Sequence, residues 1–490
     1  MENEIVLNGN CKEIIKDVLF QETCEILVEN GRKELSVTAS GRVTSVETFE
    51  NEVRVGVKTV FRAITQDEEG NYHVEKGECE TTKSISANGV LPTSKVCLNV
   101  RVTDCEKISL TPLKARATVE IYGWFVKENE IVFLNTAQEG LYCKTEKTSL
   151  ENVLALADNV LTLNFTDEAR MPVSKILDYS AAVVVDNVYP SSGSYRAEGD
   201  VDLRIVAIAD NGQFITQNFS HPFTAENAEE FLTSDMRLDV EGTIKDLSFS
   251  VSDNDKRVIV CDAAVKVCGV ALEEREVEKA VDVYSVDNEI EIASERKTLN
   301  THFCLRSIRE KAVATVSVGG GVNEILCVTS PVVSVSGTLN ADSISADGVI
   351  GTTVVYLDEN SNARSVACEM PFMCSLGGEY PCETVFAPEV TVTALYARPR
   401  GSGDVEVSAE MLVSVRGAQS REMQVITGVT VGEKKEGDDF AISLYIVKAG
   451  ETLWDVAKAL NTDEKVLAAQ NADVPLPLKG GEKILLYKGL

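Results

Sequence analysis

Histidine is scarce in this chain. Only three occur in 490 residues, His73, His221 and His302. None stands beside a Ser or Cys nucleophile motif or at the spacing of metal ligands. Each reads as a surface or hairpin residue. A phosphate loop is missing as well: Gly319-Gly320-Gly321 lacks the Lys-Ser/Thr that would cradle a phosphate, and reads as a turn. The many Asp and Glu are dispersed and give no assignable acid–base pair. The expectation is a protein that is not an enzyme and carries no cofactor, no catalytic residue and no metal.

Long apolar runs are absent too. No stretch approaches the roughly 18 apolar residues that a membrane-spanning helix needs. The opening MENEIVLNGN has neither a basic start nor an apolar core before a small-residue cleavage site, so no signal peptide is expected and the chain should stay in the cytosol. No Cys-x-x-Cys pair occurs among the thirteen cysteines. Their scatter suggests free thiols used as small buried apolar groups in a reduced compartment. The tightest group, Cys368, Cys374 and Cys382, fits no ligand spacing. Prolines number 12 against 32 glycines, a balance that gives no sign of disorder.

Positive charge is in deficit, with 47 basic against 77 acidic residues and a net charge of −30. The excess is uneven. From Leu444 onward six lysines balance six acids, so the preceding residues hold the whole −30. Such a body repels phosphates and anionic membrane surfaces, and nucleic acid is not an expected partner.

What is present is a β-rich pattern. Across residues 30–435, short alternating runs of Val, Ile and Thr are broken by Gly, Asn or Asp, as in Val53-x-Val55-x-Val57, Leu203-x-Ile205 and Val265-x-Val267. Period-two alternation implies antiparallel sheets with one buried face, sandwich-like. The chain also repeats itself. A shift of 149 places residues 197–223 over 346–372 without a gap, both ending in Pro-Phe (Pro222-Phe223, Pro371-Phe372). The pattern reads as strand, Asp-Asn or Glu-Asn turn, strand, with Pro-Phe leaving the hairpin. V-x-V-x-G markers end at Gly123, Gly269 and Gly417, each glycine expected to close a strand. Residues 51–61 match the hairpin start, but QDEEGNYH (66–73) lengthens the turn. Three tandem units follow, near 1–145, 146–295 and 296–435; a period this long means duplicated domains. Helical spacing predicts helices over 150–161 and, more weakly, 12–20. The charged GEKKEGDDF stretch (432–440) reads as a spacer, and 436–443 as the linker to a last module.

That module, 444–490, has its own signals. YIVKAGETLWDVAKALN starts as a strand and turns at Gly450; Thr452 and Asp455 make a capping box for a helix. Leu453, Val456, Ala457 and Leu460 form a buried stripe. Thr462-Asp463 opens a second helix with Val466 and Leu467 inward and Asn471 near its end. A Pro-rich loop, a Gly480-Gly481 turn and a closing strand complete a βααβ fold. Tyr445, Val447, Gly450, Glu451, Thr452, Leu453, Trp454 and Ala457, then Asn471, Pro477, Gly480 and Ile484, closely resemble the LysM family. That resemblance implies binding of N-acetylglucosamine polymers through two loops. The candidate contact residues are Gly450, Glu451, Thr452 and Leu453 in one, and Ala472, Asp473, Val474, Pro475 and Leu476 in the other. Trp454, Tyr445 and Tyr487 are expected to pack, and nothing in the module suggests ionic docking.

The repeats, with Ile-Leu openings (Ile176-Leu177, Ile325-Leu326), a Pro-Phe hairpin and V-x-V-x-G, resemble SPOCS domains. Their combination with one C-terminal LysM resembles the SipL-like spore coat morphogenetic proteins. That likeness implies a structural role in the mother cell at the forespore surface. Its expected partners are the SpoIVA-like basement-layer coat ATPase, contacted by the LysM module, and other coat proteins. The alternative is a peptidoglycan-binding protein of the cell wall or spore cortex.

Overall fold

The computed structural model describes residues 4–306, 309–340, 342–378, 380, 383–401, 403–436 and 441–487. Strands fill it up to residue 446. The first stretch contains β1 (Glu4–Asn8), β2 (Cys11–Ile26), β3 (Lys33–Phe49), β4 (Glu52–Gln66), β5 (Tyr72–Ser86), β6 (Val96–Leu110), β7 (Leu113–Lys127) and β8 (Glu130–Leu134). The second contains β9 (Tyr142–Ala155), β10 (Asn159–Glu168), β11 (Val173–Ser191), β12 (Ser194–Ala209), β13 (Phe214–Ala228), β14 (Arg237–Val251) and β15 (Val258–Tyr284). The third contains β16 (Asn288–Arg306), β17 (Glu310–Ser317), β18 (Val322–Val328), β19 (Val332–Leu339), β20 (Ser343–Asp358), β21 (Ala363–Gly377), β22 (Val385–Arg400) and β23 (Asp404–Lys434). A small end piece, β24 (Ile442–Ile446), α1 (Leu453–Ala459), α2 (Glu464–Gln470) and β25 (Lys483–Tyr487), completes the chain.

Each stretch pairs its strands with itself, as two facing antiparallel sheets. In the first these are β2-β7-β6 and β3-β4-β5; in the second, β9 and β10 with β15 and β14, and β11-β12-β13. The third repeats the plan with β16 and β17 on β23 and β22, and β18 and β19 on β20 and β21. The alternation of small and branched residues explains the pairing: β10 alternates half-buried and exposed positions along its whole length. Between the sheets lies one apolar core per stretch, formed for example by Val53, Val55, Phe61, Val119 and Ile121 in the first. Strand pairing places the unit limits between 134 and 142 and between 284 and 288. The divisions at 145/146 and 295/296 therefore cut through β9 and β16.

Several expectations are corrected. Residues 150–161 are not helical: they end β9 and begin β10, both paired to β15. Leu150 and Val153, three residues apart, lie on opposite faces of β9, one packed with Ile131 and the other beside Cys268, so a strand buried on both faces imitates helical spacing. Residues 12–20 lie in β2, where a bulge between Ile15 and Val18, with Asp17 at φ 59°, breaks the alternation and imitates helical spacing. Pro222 and Pro371 do not leave their hairpins. They sit inside β13 and β21, opposite Asp200 and Val349, on outer strands where a missing N–H costs no ladder bond.

Nor do the marker glycines end strands. Gly123, Gly269 and Gly417 lie within β7, β15 and β23, where a β-carbon would fall 2.1, 2.4 and 2.6 Å from the backbone oxygens of Cys97, Asp239 and Val385. They are glycines because a neighbouring strand crosses too closely for any side chain.

The three units close into a ring. Leu35, Leu177 and Leu326 stand 142 and 149 residues apart, as do Ile64, Val206 and Val355, and all six share one apolar cluster with Cys327 and Ala363. Equivalent positions of three units thus meet at a common centre. Contacts around it are cyclic: Arg62 lies 4.3 Å over Tyr179, and Arg204 donates to the carbonyl of Val328, the position equivalent to Tyr179 in the next unit. Lys33 of the first unit donates to Ala363 of the third at 2.6 Å and closes the circle.

A second junction is ionic. Lys12 Nζ lies 2.6 Å from Asp239, and Arg416 reaches Asp239 at 3.0 Å, Glu241 at 3.3 Å and Glu389. Burial pushes the Asp239 carboxyl up, but the facing Lys12 and Arg416 charges hold it well below the usual range. His302 is buried here, not at the surface. Its Nε2 accepts from the Lys12 N–H at 2.9 Å and its Nδ1 donates to Glu151 at 2.6 Å. The first and second units are also joined by a disulfide, Cys97–Cys268. The expectation that every cysteine is free is thereby corrected.

Paired ends of β1/β8, β9/β15 and β16/β23 extend beyond the ring and pack together through Leu7, Ile131, Phe133, Leu150, Val277, Leu299, Met423 and Val425. This projection carries the end piece.

Candidate functional site

The end piece is a βααβ unit. Gly450, at φ 89°, turns the chain out of β24, a left-handed conformation that suits glycine. Thr452 then caps α1: its hydroxyl accepts from Asp455 N–H, and the Asp455 carboxylate accepts from Thr452 N–H at 2.7 Å. That carboxylate also accepts from the Thr452 hydroxyl at 2.7 Å, and the Thr452 N–H and hydroxyl bonds together hold the Asp455 carboxyl below its ordinary value. Asp463 caps α2 by accepting from Lys465 N–H at 2.6 Å. Asn471 ties the second helix to the last strand: its amide donates to Leu467 and Leu485 carbonyls, and its oxygen accepts from Leu485 N–H. The core is Val447, Leu453, Trp454, Val456, Ala457, Leu467, Ile484 and Leu486. Val466, expected to face inward, is 45% exposed.

The two loops that carry the candidate contacts rest on this one core. In the first, Gly450 and Thr452 are exposed, Glu451 is half-buried and Leu453 is buried. Leu453 is thus a packing residue that anchors the loop and offers no side chain to a ligand. Glu451 is held in place by accepting from Lys448 N–H at 2.8 Å and Tyr445 hydroxyl at 2.9 Å. The Lys448 amide bond is the main cause of its lowered pKa. In the second loop Ala472, Asp473, Pro475 and Leu476 are exposed, while Val474 packs toward the core. Leu476, 63% exposed, precedes a cis peptide to Pro477. Gly480 brings this side against the first loop: a β-carbon there would lie 3.0 Å from Ala449 Cα.

The opposite face of α1 is committed to the body. Trp454 Nε1 donates to Asp282 at 2.8 Å, and Lys458 Nζ reaches the other Asp282 oxygen at 2.6 Å. Burial raises the Asp282 pKa, but these two hydrogen bonds outweigh it and leave the carboxyl below its ordinary value. The Trp454 ring stands edge-on to Tyr284 at 4.8 Å, and Tyr284 stacks on Tyr142 at 5.2 Å. Tyr284 also donates its hydroxyl to the Thr462 carbonyl at 2.8 Å, and Lys435 donates to Asn461 at 2.6 Å. The module is thus tied to the body of the same chain by an ion pair, Lys458 to Asp282, as well as by ring packing.

The spacer is also shorter than expected. Lys435 is already fixed through its N–H to Asp287 and its ammonium to Ser285. Strand β24 begins at Ile442, and residues 437–440 lie outside the described residues.

Asp282 lies 172 residues before Trp454, and no local pattern announces it. The cysteine group is divided: Cys368 and Cys374 are buried in the third core, and Cys382 lies outside the described residues. Of the other histidines, His73 pairs with Asp67 at 2.9 Å and His221 with Asp167 at 2.8 Å. Among the described residues no helix is long and apolar enough to cross a membrane. Comparison with curated proteins and with solved structures finds no match to the chain. A family comparison does find one: residues 445–480 match the LysM domain, which places a LysM domain at the C-terminal end of this mainly β chain.

Proposed function

We propose that this protein is a non-enzymatic scaffold of endospore coat assembly that presents a LysM module to a partner at the forespore surface, in the mother-cell cytoplasm. The observation that carries the proposal is the division of the module's surface. The α1 face is spent on Asp282 and Tyr284 of the body, while Gly450, Thr452, Ala472, Asp473, Pro475 and Leu476 stay open. A docked module on a closed ring holds its loops in a fixed direction, which suits a positioning role. The SPOCS-like pattern of the repeats favours the coat setting. The partner in this reading is the SpoIVA-like basement-layer ATPase, with outer sheet strands available to other coat proteins by strand addition.

A second reading is favoured by the LysM match over 445–480. A LysM domain suggests binding of N-acetylglucosamine-containing polymers such as peptidoglycan, and the same open loops would serve. The test is capture of the full chain by the purified ATPase and by peptidoglycan in parallel, with Leu476→Glu as the loop variant. Capture by the ATPase, lost in L476E, supports the coat scaffold. Retention on the glycan alone overturns it in favour of the second reading, and binding to neither overturns both.

A further inference from the structure

Cys97 of β6 and Cys268 of β15 lie 171 residues apart, belong to different units and are bonded to each other. Both are buried, 1% and 0% exposed, among Trp124, Val126, Val153, Val270 and Leu272. They adjoin the junction where all three units meet. Glu241 Oε1 lies 3.1 Å from the Cys97 sulfur and 3.7 Å from that of Cys268. The same oxygen accepts from Trp124 Nε1 at 3.1 Å, and Arg416 of the third unit holds the other oxygen at 3.3 Å.

We propose that Cys97 and Cys268 form a redox-controlled clamp that locks the first unit of the ring to the second. Both states have a place for the sulfurs. When oxidised, they carry a covalent link between units. When reduced, the thiols have the Glu241 carboxylate as a hydrogen-bond acceptor, so the interface keeps its polar contacts and loses only the covalent tie.

The oxidant is a low-molecular-weight disulfide. One cysteine thiolate attacks it to form a mixed disulfide and release one small thiol. The second thiolate then attacks the protein sulfur of that mixed disulfide and releases the other. Two protein thiols are oxidised, two small thiols are produced, and the two thiol protons leave with them. Because neither sulfur reaches solvent in the closed ring, exchange takes place while the units are apart. The bond records the redox state during assembly and is then sheltered from it.

The test uses the full chain, refolded with or without an oxidised small disulfide and alkylated in denaturant before reduction. The oxidised protein should show two thiols fewer than its thirteen cysteines, with peptide mapping assigning the pair to Cys97 and Cys268. Millimolar dithiothreitol should leave the bond intact in the native protein and break it in denaturant. Closing a loop of 171 residues should raise the thermal midpoint of the oxidised body by roughly 5 °C over the reduced one. Cys97→Ser should abolish that difference; if it fails to fold, the oxidised and reduced wild-type proteins still give the comparison. Thirteen free thiols after oxidative refolding, or equal midpoints in the two states, overturn the clamp. So does one zinc ion per chain held by these thiolates and Glu241, the one group of at least three such side chains among the described residues arranged to accept a metal.

Discussion

Replacing Asp282 by asparagine should release the LysM module from the ring without unfolding either. Two bonds converge on this carboxylate: Trp454 Nε1 at 2.8 Å and Lys458 Nζ at 2.6 Å. A hydrogen bond to a charged acceptor contributes about 1.5–3 kcal/mol. The lysine side chain is 42% exposed, so its pairing adds only about 0.2–1 kcal/mol. Together they stabilise docking by about 2–4 kcal/mol, and an amide keeps the shape while losing most of that. The population of undocked module should rise roughly 30-fold or more. Trypsin cleavage after Lys435 reads the change, because in the docked state its amide is bonded to Asp287 and its ammonium to Ser285 and Asn461. Asp282→Asn should release the C-terminal fragment at least tenfold faster, with the module itself still folded. Release at the wild-type rate would refute the electrostatic account and leave the Tyr284–Trp454 contact and the Tyr284–Thr462 and Lys435–Asn461 bonds to hold the module.

The same carboxylate sets a pH dependence. Its folded pKa is lowered, so its contribution to docking is present above the ordinary carboxylate value, near 3.8, and is lost as pH falls below it; a change in Trp454 fluorescence should report undocking there in wild type and not in Asp282→Asn. Arg416→Ala leaves the buried Glu241 and half-buried Glu389 without their counter-charge and Asp239 with Lys12 alone, and should cost about 3–5 kcal/mol in urea unfolding. Leu177→Ala opens a cavity where the three units meet and should cost about 2–5 kcal/mol, seen as faster hydrogen exchange in the equivalent strands of all three units. Thr452→Ala removes the α1 cap and should lower module stability by about 1 kcal/mol, measured by thermal unfolding followed at Trp454.

How much was legible in the sequence differs from element to element. In the LysM module the signals are local. A capping box, a left-handed glycine and an i, i+3, i+4 stripe each specify structure within a turn or two, and Thr452, Gly450 and Leu453 do what their spacing implies. The 149-residue shift also reports real geometry: β12 and β13 begin and end 149 residues before β20 and β21. What misled was a strand buried on both faces. Leu150 and Val153 point to opposite sides of β9 and pack in different clusters, which reads locally as helical spacing, and only the pairing to β15 selects the strand.

The sequence by itself therefore determined the strand class, the repeated hairpins and the terminal module, because alternation, turn residues and caps act over a few neighbours. Tertiary structure alone decided the ring, the ionic junction of Lys12, Asp239 and Arg416, the Cys97–Cys268 bond and the seat of Trp454 on Asp282. Each joins residues more than 100 positions apart. Which of many similar side chains meet at that separation is settled by how three sandwiches pack, and no local pattern records it.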